Sequence, residues 1–337
     1  MKKRMNFDVA NFVTTGLPAY VAENRDLLIA DLVLGSSTLE RISVQTGVKH
    51  ASPIHILEFD EELQAMGCNP DLQDENLSLV DRTITAVEMG FNIPICKDNL
   101  LGTWGEYAVR VTASDEDLPF EEYVVDAIIA NAHNKLEKLM WQGSTTNGDL
   151  IDGFVTIATA DAPAGNKIPI AAGTSAYDGV LLAYLALPEE ALERNDVEIY
   201  VSPAIFRAFV QDIVASNLYH FDPANATAEE IFLPGTTAKV VKRAGLAGNL
   251  NILATYAKNL YFGTDLENAR EDVAIAYSLE KRTNIAQLVF TAGVQIAFPD
   301  RVVLGTFAAA PTATGSYLAK IASTVDEDAN AINTVTP

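Results

Sequence analysis

Between Leu118 and Gly143 the hydrophobic positions of this chain recur at three- and four-residue steps. Val125, Ile129, Ala132, Leu136 and Met140 form one stripe, which Val124, Ile128 and Leu139 widen, the pattern of an amphipathic helix. Pro119 suits a first helical position, where its missing N–H has no partner to lose. Glu121, Glu122 and Asp126 stand near the amino end, and Lys135 and Lys138 near the carboxyl end, which complements the helix dipole. Gly143, able to take a left-handed conformation, is expected to end the helix. About 24 residues at ~1.5 Å each give a rod of roughly 36 Å, longer than an average helix. By itself the rod fits an enzyme core as well as a structural part. After it, GSTTNGDL reads as a glycine-punctuated turn and IDGFVTIAT as a strand.

The patterns on either side differ. Residues 1–40 mix short apolar clusters with polar breaks. The segment Arg25–Leu39 has the look of a short helix, with Gly16, Pro18 and Gly35 as interruptions, and the whole reads as an arm. Residues 41–113 are rich in β-branched residues: RISVQTGVKH, SPIHILEF, LSLVDRTITAVEMGFNIPI and EYAVRVT predict strands. In Thr83-Ile84-Thr85-Ala86-Val87 the alternation is clean enough to bury one face. MGCNPDLQDENL is polar and holds glycine and proline, so it reads as the tip of a hairpin. An isolated hairpin is marginally stable in water, so this one is expected to rest on another molecule.

Beyond the helix, DAPAGNKIPIAAGTSA reads as loop, Asp178–Leu187 as a short apolar helix and Val197–Val201 as a buried strand. Ser202 and Pro203 then make a sound helix start, as N-cap and first helical residue. TTAKVVKRAGLAGNLNILATYAKNLYFGT predicts two short strands around a glycine turn, completing a compact α/β unit. Ala274–Leu279 and Ala286–Phe298 read as the arms of a long β-ribbon with a polar bend at 280–284. The tail from Ala308 is small and polar and is expected to fray.

Composition narrows the function classes. With 337 residues, 49% of them hydrophobic, the chain has material for two or three subdomains with real cores. A net charge of −22 argues against wrapping nucleic acid or lying on a membrane, though an acidic wall suits a container whose DNA must not stick. Cys68 and Cys96 indicate neither a disulfide framework nor a zinc site, and a reducing cytoplasm fits. The amino end lacks the apolar region of a signal peptide, and no stretch approaches the length of a membrane span.

Chemistry-bearing motifs are sparse. GxGxxG after a strand, GxxxxGK, GxSxG and HExxH are absent. His50, His55, His133 and His220 are scattered, and solvated or satisfied positions explain them better than metal ligation. The runs Glu61-Glu62, Asp115-Glu116-Asp117 and Asp326-Glu327-Asp328 read as solvated faces. DLQDEN at 71–76 lacks the glycine and glutamate of a calcium loop. Lys239, Lys242 and Arg243 read as a subunit contact or plain surface. No catalytic, cofactor-binding or metal-binding residue is therefore assigned, no cofactor is expected, and the chain is not read as an enzyme.

The order of parts now becomes informative. An arm, a hairpin, a long helix with a glycine turn, an α/β unit and a returning ribbon together resemble the major capsid protein of tailed bacteriophages, the Hong Kong 97-like fold. LMWQGSTTNGDLIDGF is similar to the end of that family's spine helix and its turn. NDVEIYVSPAIFRAF resembles the strand–helix step of the axial domain, FTAGVQIAFPDRVVLG the closing strand, and NIPICKDNLL the strand leading back from the hairpin. The resemblance covers roughly residues 40 to 305 and rests on order and pattern.

It implies an α+β fold with an N-terminal arm at 1–40, an extended hairpin (E-loop) region at 41–113 and a peripheral domain with the spine helix at 114–175. An axial domain at 176–257 and a return β-ribbon of the peripheral domain with a C-terminal tail at 258–337 complete it. The implied function is structural: self-assembly as hexamers and pentamers into an icosahedral shell around the double-stranded DNA of a tailed phage. Implied partners are the chain itself and portal, scaffolding and decoration proteins, with DNA enclosed without sequence-specific binding and no membrane. The implied location is the virion capsid, assembled in the host bacterial cytoplasm. Some relatives crosslink a hairpin lysine to a neighbour's asparagine; here the tip at 66–77 has no lysine and Lys49 lies near the base, so no covalent crosslink is expected. Two alternatives stand beside this: an encapsulin-type compartment shell, and an α/β enzyme with an unrecognised site.

Overall fold

The structure is a computed structural model that describes residues 17–24, 27–28, 35–59, 77–95, 120–194, 196–215, 229–265, 272–278, 280 and 283–311. The hairpin tip apart from Leu77, EYAVRVT, Cys68, Cys96, His220, the three acidic runs and the tail from 312 lie outside the described residues.

In chain order, helix α1 spans Leu17–Glu23. It lies ahead of the segment expected to be helical, and Pro18 sits in its first turn, where proline is tolerated, instead of breaking it. Strands β1 (Ser43–Gln45), β2 (Ala51–Phe59), β3 (Leu77–Thr85) and β4 (Val87–Ile95) follow. The long helix α2 is Phe120–Gln142, and all five residues of its expected stripe are buried. Its last turn carries no base, since Lys135 and Lys138 fall one to two turns short of the end.

Phe154–Asp161, expected as a strand, is helix α3. Its β-branched residues suggested extension, but Phe154, Val155 and Ala158 are buried at helical steps. Thr159 Oγ1 donates to Val155 O at 2.7 Å, satisfying its hydroxyl within the helix. The passage read as loop contains β5, Lys167–Ile170. Then come α4 (Ala176–Leu185), α5 (Glu189–Leu192), β6 (Val197–Val201) and α6 (Pro203–Ala215). The expected cap is in place: Ile205 N donates to Ser202 Oγ at 3.4 Å, and Pro203 opens α6. Next are β7 (Glu230–Phe232), β8 (Lys239–Lys242), β9 (Asn251–Tyr256) and β10 (Leu260–Thr264), so the glycine-turn region holds three strands from 239 to 264, not two. The last described strands are β11 (Asp272–Ser278), β12 (Thr283–Ile296) and β13 (Val303–Phe307).

These elements form two compact units, one of residues 1–136 and 261–297, the other of 137–260 and 298–337. In the first, β12 pairs antiparallel with β11 and with β4, and the sheet continues through β10 to β1. The ribbon arms are longer than expected, with residues 272–278 facing 283–289. β2 and β3 pair antiparallel from Ala51↔Thr85 to Phe59↔Leu77. Ile84 and Ala86 are buried while Thr83 and Thr85 are exposed, as the alternation predicts. Gln295 ties β12 to this hairpin, donating to Thr83 O at 2.9 Å and accepting from Arg82 at 3.2 Å.

Among the described residues the second unit is built on a six-stranded mixed sheet in the order β5-β13-β9-β6-β8-β7. β6 is buried along its whole length, as a central strand covered on both faces must be. Val197, Ile199 and Val201 face Val180 and Ala183 of α4 and Ile205 and Phe209 of α6 in one apolar cluster. Tyr200, on the alternate face, meets Trp141, whose ring in turn packs against Phe154 of α3. Asp212 of α6 accepts from Tyr177 N at 3.2 Å and Ser175 Oγ from Asp178 N at 3.0 Å, so the amino end of α4 is capped twice. β13 pairs with β9 and β5, which brings residues 303–307 into the same sheet as residues 176–257.

Candidate functional site

The carboxyl end of α2 is closely packed within the second unit. Trp141 is fully buried, its ring centroid 4.9 Å from that of Tyr200 and 5.3 Å from that of Phe154. Gln142 Nε2 donates to Gly245 O at 2.5 Å and to Ala247 O at 3.1 Å. Gly143 does end the helix, but not by a left-handed conformation: positive φ falls on Gly148, at 93°. A side chain at 143 would instead strike the carbonyls of Leu139 and Ile151. Its carbonyl then accepts from Gly153 N at 2.9 Å and Thr156 Oγ1 at 2.6 Å, which fixes the start of α3. Between them, Asp149 accepts from Ser144 N at 2.9 Å and Asp152 from Thr145 N at 2.7 Å and Thr145 Oγ1 at 2.9 Å. Both carboxylates hold the turn's own backbone.

The basic residues read together in the sequence separate in the structure. Lys239 pairs with Glu230 at 3.4 Å and lies 5.4 Å from the Phe232 ring centroid. Arg243 is not surface: it is 1% exposed, its guanidinium carbon 5.9 Å from the Tyr200 ring centroid. The expectation failed because a Lys-Lys-Arg cluster says nothing of which side chain the sheet buries, and the planar guanidinium can lie over an aromatic face.

A grouping the sequence did not reveal joins α5, β9 and the segment before β13. Arg194 stacks over Tyr256 at 4.3 Å and Arg301 over Phe298 at 4.5 Å, while Arg301 also pairs with Glu190 at 2.9 Å. Burial pushes the Tyr256 phenol up, against the pull of the Arg301 and Arg194 cations. These residues are more than a hundred positions apart at the extremes, so no local spacing signals them. The arrangement orders and packs; it sets no nucleophile beside a base.

His50 lies just before β2, exposed, and His133 is partly buried on α2. Among the described residues no three His, Cys, Asp or Glu side chains gather as a metal site, and no helix is long and apolar enough to cross a membrane. On α4, Leu182 and Leu185 are exposed, whereas Ala176, Gly179, Val180 and Ala183 of the same helix are buried.

No protein-family model matches this chain, and no curated protein matches its sequence. Solved structures do match. A chain of the satellite phage P4 procapsid, in a structure including the size determination (Sid) protein, aligns at TM-score 0.58 and 13% identity, covering 86% of this chain and 94% of its own. A chain from the capsid of the empty GTA particle gives 0.53 at 15% identity, with 81% and 90% covered. The fold is a phage capsid fold. A chain from Microbacterium phage Oxtober96 adds a third case, at 0.51 and 15% identity over 81% of this chain. The capsid fold expected from the order of parts is thus the observed one, in a mixed α+β architecture.

Proposed function

We propose that this chain is a structural shell subunit, the major capsid protein of a tailed phage. Copies assemble as hexamers and pentamers and close into an icosahedral shell enclosing double-stranded DNA. The observation that carries the reading is the extent of the fold match, which runs over 86% of this chain and 94% of a procapsid chain. The net charge of −22 supports a wall that holds DNA without binding its sequence. The assignments of arm (1–40), E-loop region (41–113), peripheral domain with spine helix (114–175), axial domain (176–257) and return ribbon with tail (258–337) belong to this proposal. So does a purely structural, non-enzymatic role.

The shell would form in the bacterial cytoplasm and end in the virion, with portal, scaffolding and decoration proteins as companions. Negative-stain electron microscopy of the purified recombinant chain tests the proposal. Closed particles or ring-shaped capsomers are expected; a uniform field of single small globules would refute it.

A further inference from the structure

Helix α4 turns Ala176, Gly179, Val180 and Ala183 into the core of the second unit. Its opposite side carries Leu182, 44% exposed, and Leu185, 67% exposed. Three residues apart on a helix, these two leucines share one face. They lie within a charge-free stretch: residues 179–188 hold no Asp, Glu, Lys or Arg, while Asp178, Glu189 and Glu190 bracket it. In a chain of net charge −22, two copies repel wherever their acidic surfaces meet. An apolar face without charge is where they can come together, since association there buries hydrocarbon with no charge to desolvate. Of the bracketing acids, Glu190 is already paired with Arg301 and Asp178 accepts from Ser175 Oγ at 2.7 Å. Exposed Glu189 makes no ion pair among the described residues, so it favours a base opposite it, and each copy offers one. Arg207 is exposed on α6, makes no ion pair among the described residues, and its Nε reaches only Pro203 O in its own helix, at 3.4 Å.

We infer that the Leu182–Leu185 face of α4 is a contact surface for a second copy of this chain. The inference rests on the shell reading and adds to it the place where copies meet. Leu185→Glu puts a charge at the centre of the face, and Leu185→Ala removes apolar area without one. The wild-type chain and both variants are purified in parallel; particle formation is followed by light scattering and microscopy, and folding by thermal melting of the unassembled chains. The expected result is that Leu185→Glu melts like the wild type yet forms no particles. Leu185→Ala is expected to need about tenfold more protein for half-assembly. Wild-type particles alongside equally abundant Leu185→Glu particles overturn this inference and leave the shell reading standing. A lower melting temperature for unassembled Leu185→Glu also overturns it, because the leucines would then be covered by their own chain. A wild type that never assembles overturns the shell reading, and this inference with it.

Discussion

Trp141 and Gly245 are fitted so closely that position 245 has no room for a side chain. A Cβ there would overlap the indole ring and lie 2.5 Å from Glu137 O. This relationship joins the last turn of α2 to the turn after β8, and neither partner can yield, one being helix backbone and the other a fully buried ring. Gly245→Ala is therefore expected to destabilise the chain by about 1–3 kcal/mol, read as a lower denaturation midpoint with unchanged slope. A midpoint equal to the wild type would mean that the turn moves freely away from the helix.

Trp141 itself is the larger test of that contact. Trp141→Phe keeps an aromatic ring against Phe154 and Tyr200, whereas Trp141→Ala empties the site and is expected to cost about 3–5 kcal/mol. Chemical denaturation should rank wild type above Trp141→Phe and Trp141→Phe above Trp141→Ala. Equal losses for the two variants would show that ring packing is not what holds the helix end.

At α6 the prediction is smaller. Ser202→Ala removes the hydroxyl that accepts from Ile205 N, with an expected loss of about 1 kcal/mol. Ser202→Asp should retain most of the stability if capping is the cause, and no recovery would contradict it.

The Tyr256 phenol gives a pH dependence. Burial raises its pKa above the ordinary 10.0, so the folded chain holds this proton more tightly than the unfolded one. The associated stability is complete below about pH 10 and is lost as pH climbs toward the raised value. Tyr256→Phe removes the ionisation, so its stability curve should stay flatter above pH 10 than that of the wild type. Parallel curves would show that another group governs the alkaline limb.

Assembled particles boiled in denaturant should run as a single band near 36.3 kDa, with no ladder. Packing, not covalent bonds, is expected to hold the subunits.

Where local physics decided the outcome, the sequence was readable. The α2 stripe, the alternation around Ile84 and the Ser202-Pro203 start all depend on residues within one or two turns or strand steps. α3 was not readable, because Val155, Thr156, Ile157 and Thr159 favour extension and only the contacts of Phe154 and Gly153 with the end of α2 reverse that preference. β5 is four residues with a proline, tolerable because it lies at a sheet edge, and it is aligned by distant β13. Asn166 pins its start by donating to Asp300 O at 2.7 Å and Val302 O at 3.0 Å, a link across more than 130 positions that no sequence window contains. The same limit hid the stacking of Arg194 on Tyr256 and the burial of Arg243. The charge-free run at 179–188 was visible, but which of its leucines the sheet would leave outside was not.

Sedimentation velocity on the purified full-length chain at neutral pH and moderate salt bears most directly on the proposed function. Megadalton species, or rings of five and six copies in equilibrium with them, are the expected outcome. A single sharp boundary at the mass of one chain, unchanged as concentration rises, would contradict the account.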